Sequence, residues 1–344
     1  MSRQDILYLS QKDVISCGGL NMADVISDLE KVFELHNKKD YVLPPKVALR
    51  WGDKHSEETI GRINAMPGYV GGDVDVAGIK WIGSAPQNPM KYGLPRASAL
   101  IILNDSEKHF PIAVMDGTII SAMRTGGVTG VAAKYLARKD SKSAGIIGAG
   151  TQNRTQLMAL KESLPKLSTV KVFDIVPERS KIFSKEVSEA LQLEVIPVST
   201  GQEAVEGSDA IVTATTAKNP IVKAEWIGEG CFYSHIGGYE AEFAVLEKAN
   251  KIVVDDWYQI KHRGTQTAAI MFEEGKLNNS DIYAEIGEII TGKAQGRENN
   301  KEFIYFNSIG LALDDLIVAK RIYNNALEKG IGTTLELWEK PIWV

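Results

Sequence analysis

The chain has 344 residues, 44% hydrophobic and 24% charged, with a formal net charge of −5 at pH 7. That length supports two domains with ample core, and without a basic block a nucleic-acid or membrane-surface partner has no electrostatic support. No apolar run is long enough to span a bilayer, nothing at the start reads as a secretory leader, and two cysteines, Cys17 and Cys231, suit a reducing cytoplasm better than a disulfide framework or metal site.

In chain order, Ile6–Leu9 reads as a short strand. Met22–His36 reads as an amphipathic helix with Val25, Leu29, Val32, Phe33 and His36 along one side. Pro44 and Pro45 stop anything helical, and Lys46–Arg50 then alternates like a strand carrying two cations. Strands near Arg62–Met66, Val76–Ile82 and Ala97–Leu103 follow with no helix between them, the pattern of an antiparallel α+β layer. Met115–Ala137 reads as a helix interrupted by Gly126, Gly127 and Gly130, which either bends or packs closely against a neighbour. From Ser143 to near Asp256 strands and helices alternate, as in a parallel, doubly wound sheet. Residues 257–302 read as helical and polar. A strand at Phe303–Phe306 and a helix at Leu313–Lys329 bring the chain back to the N-terminal layer.

The most informative stretch is Ala144-Gly145-Ile146-Ile147-Gly148-Ala149-Gly150-Thr151-Gln152. A buried strand, a turn made by Gly148 and Gly150, and a helix in that order place free backbone N–H groups where a pyrophosphate can sit. The next strand closes on Asp174, whose carboxylate can take both ribose hydroxyls and would repel a 2′-phosphate, so the motif points to NAD rather than NADP. Asn153 replaces the third glycine of the usual pattern, which predicts slightly looser packing of helix on strand.

Lys80, Met123-Arg124-Thr125, Gly148-Ala149-Gly150-Thr151-Gln152 and Ser308-Ile309-Gly310, taken together and in this order, resemble the ornithine cyclodeaminase/mu-crystallin family over nearly the whole chain. The resemblance implies an α/β fold in which a doubly wound Rossmann nucleotide domain (126–307) is inserted into an α+β substrate-binding and dimerisation domain (1–125 and 308–344), with NAD as cofactor, no metal, and a homodimer. It also implies that Lys80 and Arg124 are the catalytic pair, Arg124 binding the substrate carboxylate beside the nicotinamide. Lys46, Arg50, Arg96 and Ile309 become candidate substrate contacts. Cofactor contacts carry over to Gly148, Gly150, Thr151, Gln152, Asp174, Thr216 and Ser308.

One departure matters. Cyclodeaminases carry a catalytic aspartate after a Gly-Gly pair, whereas Gly237-Gly238 is followed here by Tyr239, and Glu240 points to the other side if the run is extended. Pro44–Arg50, Ile79–Ser84, Arg96-Ala97-Ser98, Ile101–Asp105, Pro111–Met115, Val253–Trp257 and Gly332–Leu335 are similar to the branch that makes 2,3-diaminopropionate for siderophores and peptide antibiotics, whose members also lack the aspartate. That likeness implies NAD-dependent oxidation of the glutamyl Cα–N bond of N-(2-amino-2-carboxyethyl)-L-glutamate, then imine hydrolysis to 2-oxoglutarate and diaminopropionate.

A substrate with three carboxylates calls for several cations, arginines above all, and Lys46, Arg50, Lys80, Arg96 and Arg124 supply up to five. An ornithine site would need fewer cations and an acid for the distal ammonium. Two other readings stay open: an imine reductase or amino-acid dehydrogenase for alanine-, lysine- or arginine-like substrates, and a non-catalytic binding protein of the mu-crystallin type. His235 reads as a hydrogen-bonded structural histidine rather than a proton shuttle, Asp255-Asp256 as strand-end acids, and Trp81 and Trp257 as core.

Overall fold

The computed structural model describes residues 3–52 and 61–343. Strands run β1 (Gln4–Leu9), β2 (Tyr41–Val42), β3 (Val47–Trp51), β4 (Gly61–Val70), β5 (Val76–Ser84), β6 (Ala97–Asn104) and β7 (Pro111–Asp116). They continue as β8 (Ser143–Ile147), β9 (Thr169–Phe173), β10 (Glu194–Pro197), β11 (Ala210–Thr213), β12 (Phe232–His235), β13 (Lys251–Val254), β14 (Ala284–Glu285), β15 (Ile304–Asn307) and β16 (Thr333–Trp338). The chain divides into two compact units, Met1–Arg124 with Leu311–Val344, and Thr125–Gly310.

The first unit is one sheet in the order β16-β1-β7-β6-β5-β4-β2, with β3 added on β4. Its pairings are antiparallel except β1 with β7. The helices Met22–Asn37 and Ala312–Lys329 pack on each other, and the second covers one face of the sheet. The first of these begins at Asn21, whose side chain accepts the Asp24 N–H, and buries Val25, Leu29, Val32, Phe33 and His36 as its spacing predicts. The C-terminal helix lies on β4 and β5, where Gly68 and Gly78 face each other across the strands. A methyl on Gly78 would stand 2.4 Å from the Ile102 carbonyl oxygen and 2.8 Å from Leu316 Cδ2, so the helix approaches this closely because no side chain intervenes.

The second unit is a wholly parallel sheet in the order β10-β9-β8-β11-β12-β15-β13-β14. Its central strands β11, β12, β13 and β15 are buried at every residue, as a sheet covered on both faces requires. Strand order reverses between β8 and β11, the point beyond whose carboxyl ends open parallel sheets place their ligands. Gly126 marks a close helix contact rather than a bend: a methyl there would meet the Thr155 carbonyl oxygen at 2.4 Å, and the helix Thr118–Leu136 is continuous.

Four expectations are corrected. Met115 belongs to strand β7, not to the following helix, because Ala113 and Met115 alternate inward in the sheet; Asp116 then caps the helix by accepting the Thr118 and Ile119 N–H groups. Residues 257–302 are not one helical region: helices Trp257–Arg263 and Ile286–Ile290 end near Gly264 (φ +64°) and Gly292 (φ +76°), and Gly275 (φ +70°) turns the chain between them. The run Ser308-Ile309-Gly310 falls in the second unit, because the Asp255 carboxylate accepts hydrogen bonds from Ser308 Oγ, Ile309 N and Gly310 N at 2.7–2.8 Å. Trp81 is 43% exposed on the open face of the sheet, whereas Trp257 is buried, with its indole N–H donating to Asn279 Oδ1.

Candidate functional site

Lys80 sits in the middle of β5, and alternation along the strand turns it to the face covered by the C-terminal helix. It is 1% exposed. Its Nζ donates to Asp315 Oδ2 at 2.6 Å and to Ser121 Oγ at 3.2 Å. Arg124, one turn beyond Ser121 on its helix, reaches the same acids: Nε lies 3.1 Å from Asp315 Oδ1, and Nη1 lies 3.5 Å from Asp314 Oδ2. Asp314 also accepts the Leu311 N–H at 2.7 Å, which fixes the first turn of the C-terminal helix and holds both acids in place.

Lys80 and Arg124 are therefore not part of an uncompensated crowd of cations. Two buried aspartates meet them, and the four side chains are close to neutral overall. Burial, then the neighbouring Arg124 charge, pushes the Lys80 ammonium down to about 8 against the opposing pull of Asp315. A lysine in that range holds a sizeable neutral fraction near neutral pH and can accept a proton. Sequence reasoning missed Asp314 and Asp315. Their signal was two adjacent acids inside the otherwise apolar run Ile309–Ala319, where charge survives only with partners.

In the second unit Gly148, with φ +99°, makes the turn after β8, and Gly150 leads into the helix Thr151–Ser163. No side chain caps that helix, and a methyl added at Gly150 would meet nothing within 4 Å. Uncapped N–H groups facing open space fit a pyrophosphate. Asp174 follows β9, with Oδ2 accepting the Ala149 N–H at 2.8 Å and Oδ1 the Val176 N–H at 2.9 Å, so the acid is fixed against the glycine turn. Asn153 tightens the turn instead of loosening it: it is fully buried, and its Nδ2 donates to the Ile147 and Gly148 carbonyls at 2.9 and 2.6 Å. Thr151 is exposed, Gln152 is half-buried, and Thr216 lies exposed just after β11, the strand beside β8. Ser308 and Ile309 follow β15, buried and tied to Asp255.

Glu240 does not point away. Residues 237–239 bend, and its carboxylate turns inward to accept from Gly237 N, Thr213 Oγ1, and Thr215 N and Oγ1, with His235 Nε2 at 3.3 Å. Burial pushes this carboxyl up, but His235 and Thr215 outweigh it and hold it below the usual range. His235 also bonds the Tyr305 hydroxyl through Nδ1 and is fully buried, so it serves structure. Arg50 and Arg96 do not join Lys80; they lie toward the end of the first sheet, within electrostatic reach of a third arginine, Arg62. Lys46 immediately precedes β3.

A buried lysine–arginine pair with a dinucleotide turn of this kind agrees with the sequence comparison, in which the profile of the ornithine cyclodeaminase/mu-crystallin family matches residues 8–330. The chain belongs to that family. It is 36% identical over 336 residues to the N-((2S)-2-amino-2-carboxyethyl)-L-glutamate dehydrogenase of Staphylococcus aureus, covering 97% of this chain and 99% of that one. Among solved structures, the Thermococcus litoralis Delta(1)-pyrroline-2-carboxylate reductase in complex with NADH and L-proline superposes with a TM-score of 0.87 at 40% identity, covering 95% of this chain and 99% of the other. An archaeal alanine dehydrogenase dimer with bound NAD gives 0.88 at 38% identity, covering 97% and 100%.

Proposed function

We propose that this family member is an NAD-dependent oxidoreductase of amino-acid C–N bonds whose substrate is N-(2-amino-2-carboxyethyl)-L-glutamate, cleaved to 2-oxoglutarate and L-2,3-diaminopropionate for siderophore or peptide-antibiotic synthesis. The observation that carries the reading is the buried Lys80–Arg124 pair held by Asp314 and Asp315. The full-length likeness to the Staphylococcus aureus enzyme and Tyr239 in place of the cyclodeaminase aspartate support the choice of substrate.

Arg124 orients the glutamyl α-carboxylate, and neutral Lys80 takes the proton from the secondary amine. The residues of the glycine turn would hold NAD, whose nicotinamide would supply the acceptor for the hydride leaving the glutamyl Cα. Protonated Lys80 returns that proton to the imine nitrogen, then as the neutral amine takes one from the water attacking the C=N carbon and delivers it to the departing nitrogen, so that C–N cleavage yields the ketone and the primary amine. Thr151, Gln152, Thr216 and Ser308 are the proposed cofactor contacts around the glycine turn, with Asp174 taking the ribose hydroxyls. A second reading, a dehydrogenase or imine reductase for alanine-sized substrates, is favoured by the near-neutral Lys80 cluster, which suits a single carboxylate.

The first unit also leaves one sheet face apolar. Val47, Ala65, Trp81 and Leu100 form a row on the face opposite Lys80, with Val47, Trp81 and Leu100 63%, 43% and 48% exposed. Tyr8 and Leu335 add to the exposed apolar side chains of the same sheet. A second copy covering this face gives a homodimer; Trp81→Glu should yield monomers by light scattering. Cys17 and Cys231 are buried free thiols, consistent with a cytoplasmic setting, and among the described residues no helix is long and apolar enough to cross a membrane.

The test of the reaction is incubation with NAD and the glutamate–diaminopropionate conjugate, reading NADH by absorbance and 2-oxoglutarate by mass spectrometry. Lys80→Ala should lower turnover at least ~100-fold while NAD affinity is kept. Turnover of alanine but not of the conjugate would select the second reading.

A further inference from the structure

The edge of the first sheet beyond Lys80 gathers three arginines that no acid meets among the described residues. Arg50 on β3 pairs in register with Arg62 on β4, which pairs with Ser84 on β5. Directly opposed residues share a face, and Ser84 lies four residues along the strand from Lys80, so Arg62 and Arg50 look to the same side of the sheet as Lys80. At roughly 3.3 Å per residue the two rows are about 13 Å apart along the strands. The ladder continues past Ser84 through the Ala85 N–H, which donates to the Arg96 carbonyl oxygen at 2.8 Å and brings Arg96 to the same edge.

Arg62 is half-buried, and it is depressed by that burial and by the charges of Arg50 and Arg96. No carboxylate among the described residues pairs with any of the three. Elsewhere in the chain, Arg124, Arg138 and Arg321 each meet an aspartate. Three guanidiniums held together with one of them partly desolvated repel one another, and an anion relieves that repulsion. A planar fork suits a carboxylate.

We propose that Arg50, Arg62 and Arg96 form an anion subsite for the substrate carboxylates farthest from the carbon being oxidised, so that this edge selects di- and tricarboxylic amines over alanine-sized ones. The assignment rests on the reading of Lys80 and Arg124 as the amine and α-carboxylate end. In the conjugate each outer carboxylate lies roughly 5 Å from the oxidised carbon by standard bond lengths. Long arginine side chains on the neighbouring rows cover the remaining gap. Arg62 thereby becomes a specificity-determining residue beside Arg50 and Arg96.

The test compares wild type, Arg62→Met and Arg62→Lys. With the conjugate as substrate, Arg62→Met should raise KM at least tenfold and leave kcat within threefold, with Arg62→Lys between the two. Its thermal midpoint should equal or exceed that of wild type, since a repelling charge is removed; a purely structural arginine would lower it. An unchanged KM in Arg62→Met overturns the subsite and leaves the proposed reaction standing. If wild type fails to turn over the conjugate, the proposed reaction falls, and calorimetric titration of glutarate decides the subsite separately. Binding to wild type that is lost in Arg62→Met supports the subsite; equal binding to both overturns it.

Discussion

Lys80 and Asp315 lie 235 positions apart in sequence, yet their charged atoms meet at 2.6 Å with both side chains at most 1% exposed. The contact closes the first unit by tying its N-terminal sheet to its C-terminal helix. It also sets the protonation of the lysine assigned to the chemistry.

Asp315→Asn keeps the shape of that contact and removes its charge. Asp315 is what draws the Lys80 ammonium upward, so in the variant its titration should fall below about 8 and the acid limb of the rate profile should move to lower pH. Breaking one side of a buried pair should cost about 3 kcal/mol, read as a lower midpoint in urea. An unmoved pH limb would remove Asp315 from any role in tuning Lys80.

For the wild type, kcat/KM should rise with pH through about 8, because the proposed reaction uses Lys80 in its neutral form. One unit below that value the neutral fraction is about a tenth, so activity should fall roughly tenfold per unit in the acid direction. Stability carries the same sign. The folded chain binds this proton less tightly than the unfolded one, so the Lys80 contribution declines as pH falls from 10.5 through about 8 and is flat below. A rate that is flat between pH 6 and 8 in single-turnover measurements would exclude Lys80 as the base.

Gly78→Ala should destabilise the first unit by about 1–3 kcal/mol, because the new methyl meets the Ile102 carbonyl and Leu316. Gly83→Ala in the same strand is the control. Its methyl would find only Ile63 Cγ1 at 3.8 Å, so its melting midpoint should stay near that of wild type. Equal losses in the two variants would mean that general strand propensity, not helix approach, explains Gly78.

Asp174→Asn should shift the cofactor preference toward NADP by at least about tenfold in kcat/KM, since it removes the charge expected to repel a 2′-phosphate. Titration of each dinucleotide by fluorescence checks this. An unchanged preference would move discrimination away from Asp174.

Periodicity and turn chemistry were enough to read the glycine turn and the alternation of strands and helices, because each depends on residues near one another in sequence, while the return of the C-terminal helix was expected only because its apolar face needs a partner. The pattern Ile146-Ile147-Gly148-Ala149-Gly150-Thr151 carries its geometry locally. Strand β7 and the cap at Asp116 were missed because Pro111–Met115 is too short to separate strand from helix by period alone. Glu240 was misread because a bend at 237–239, fixed by contacts to Thr213 at the end of β11 and Thr215 just after it, reversed its direction.

The sequence by itself determined which side chains are ionisable and the period of its longer helices and strands. Only the tertiary structure decided which charges meet. It paired Lys80 and Arg124 with Asp314 and Asp315 and left Arg62 between two other arginines. The physical reason is that burial and Coulomb energy depend on distances through space, which strand register and helix packing set across more than two hundred residues of chain.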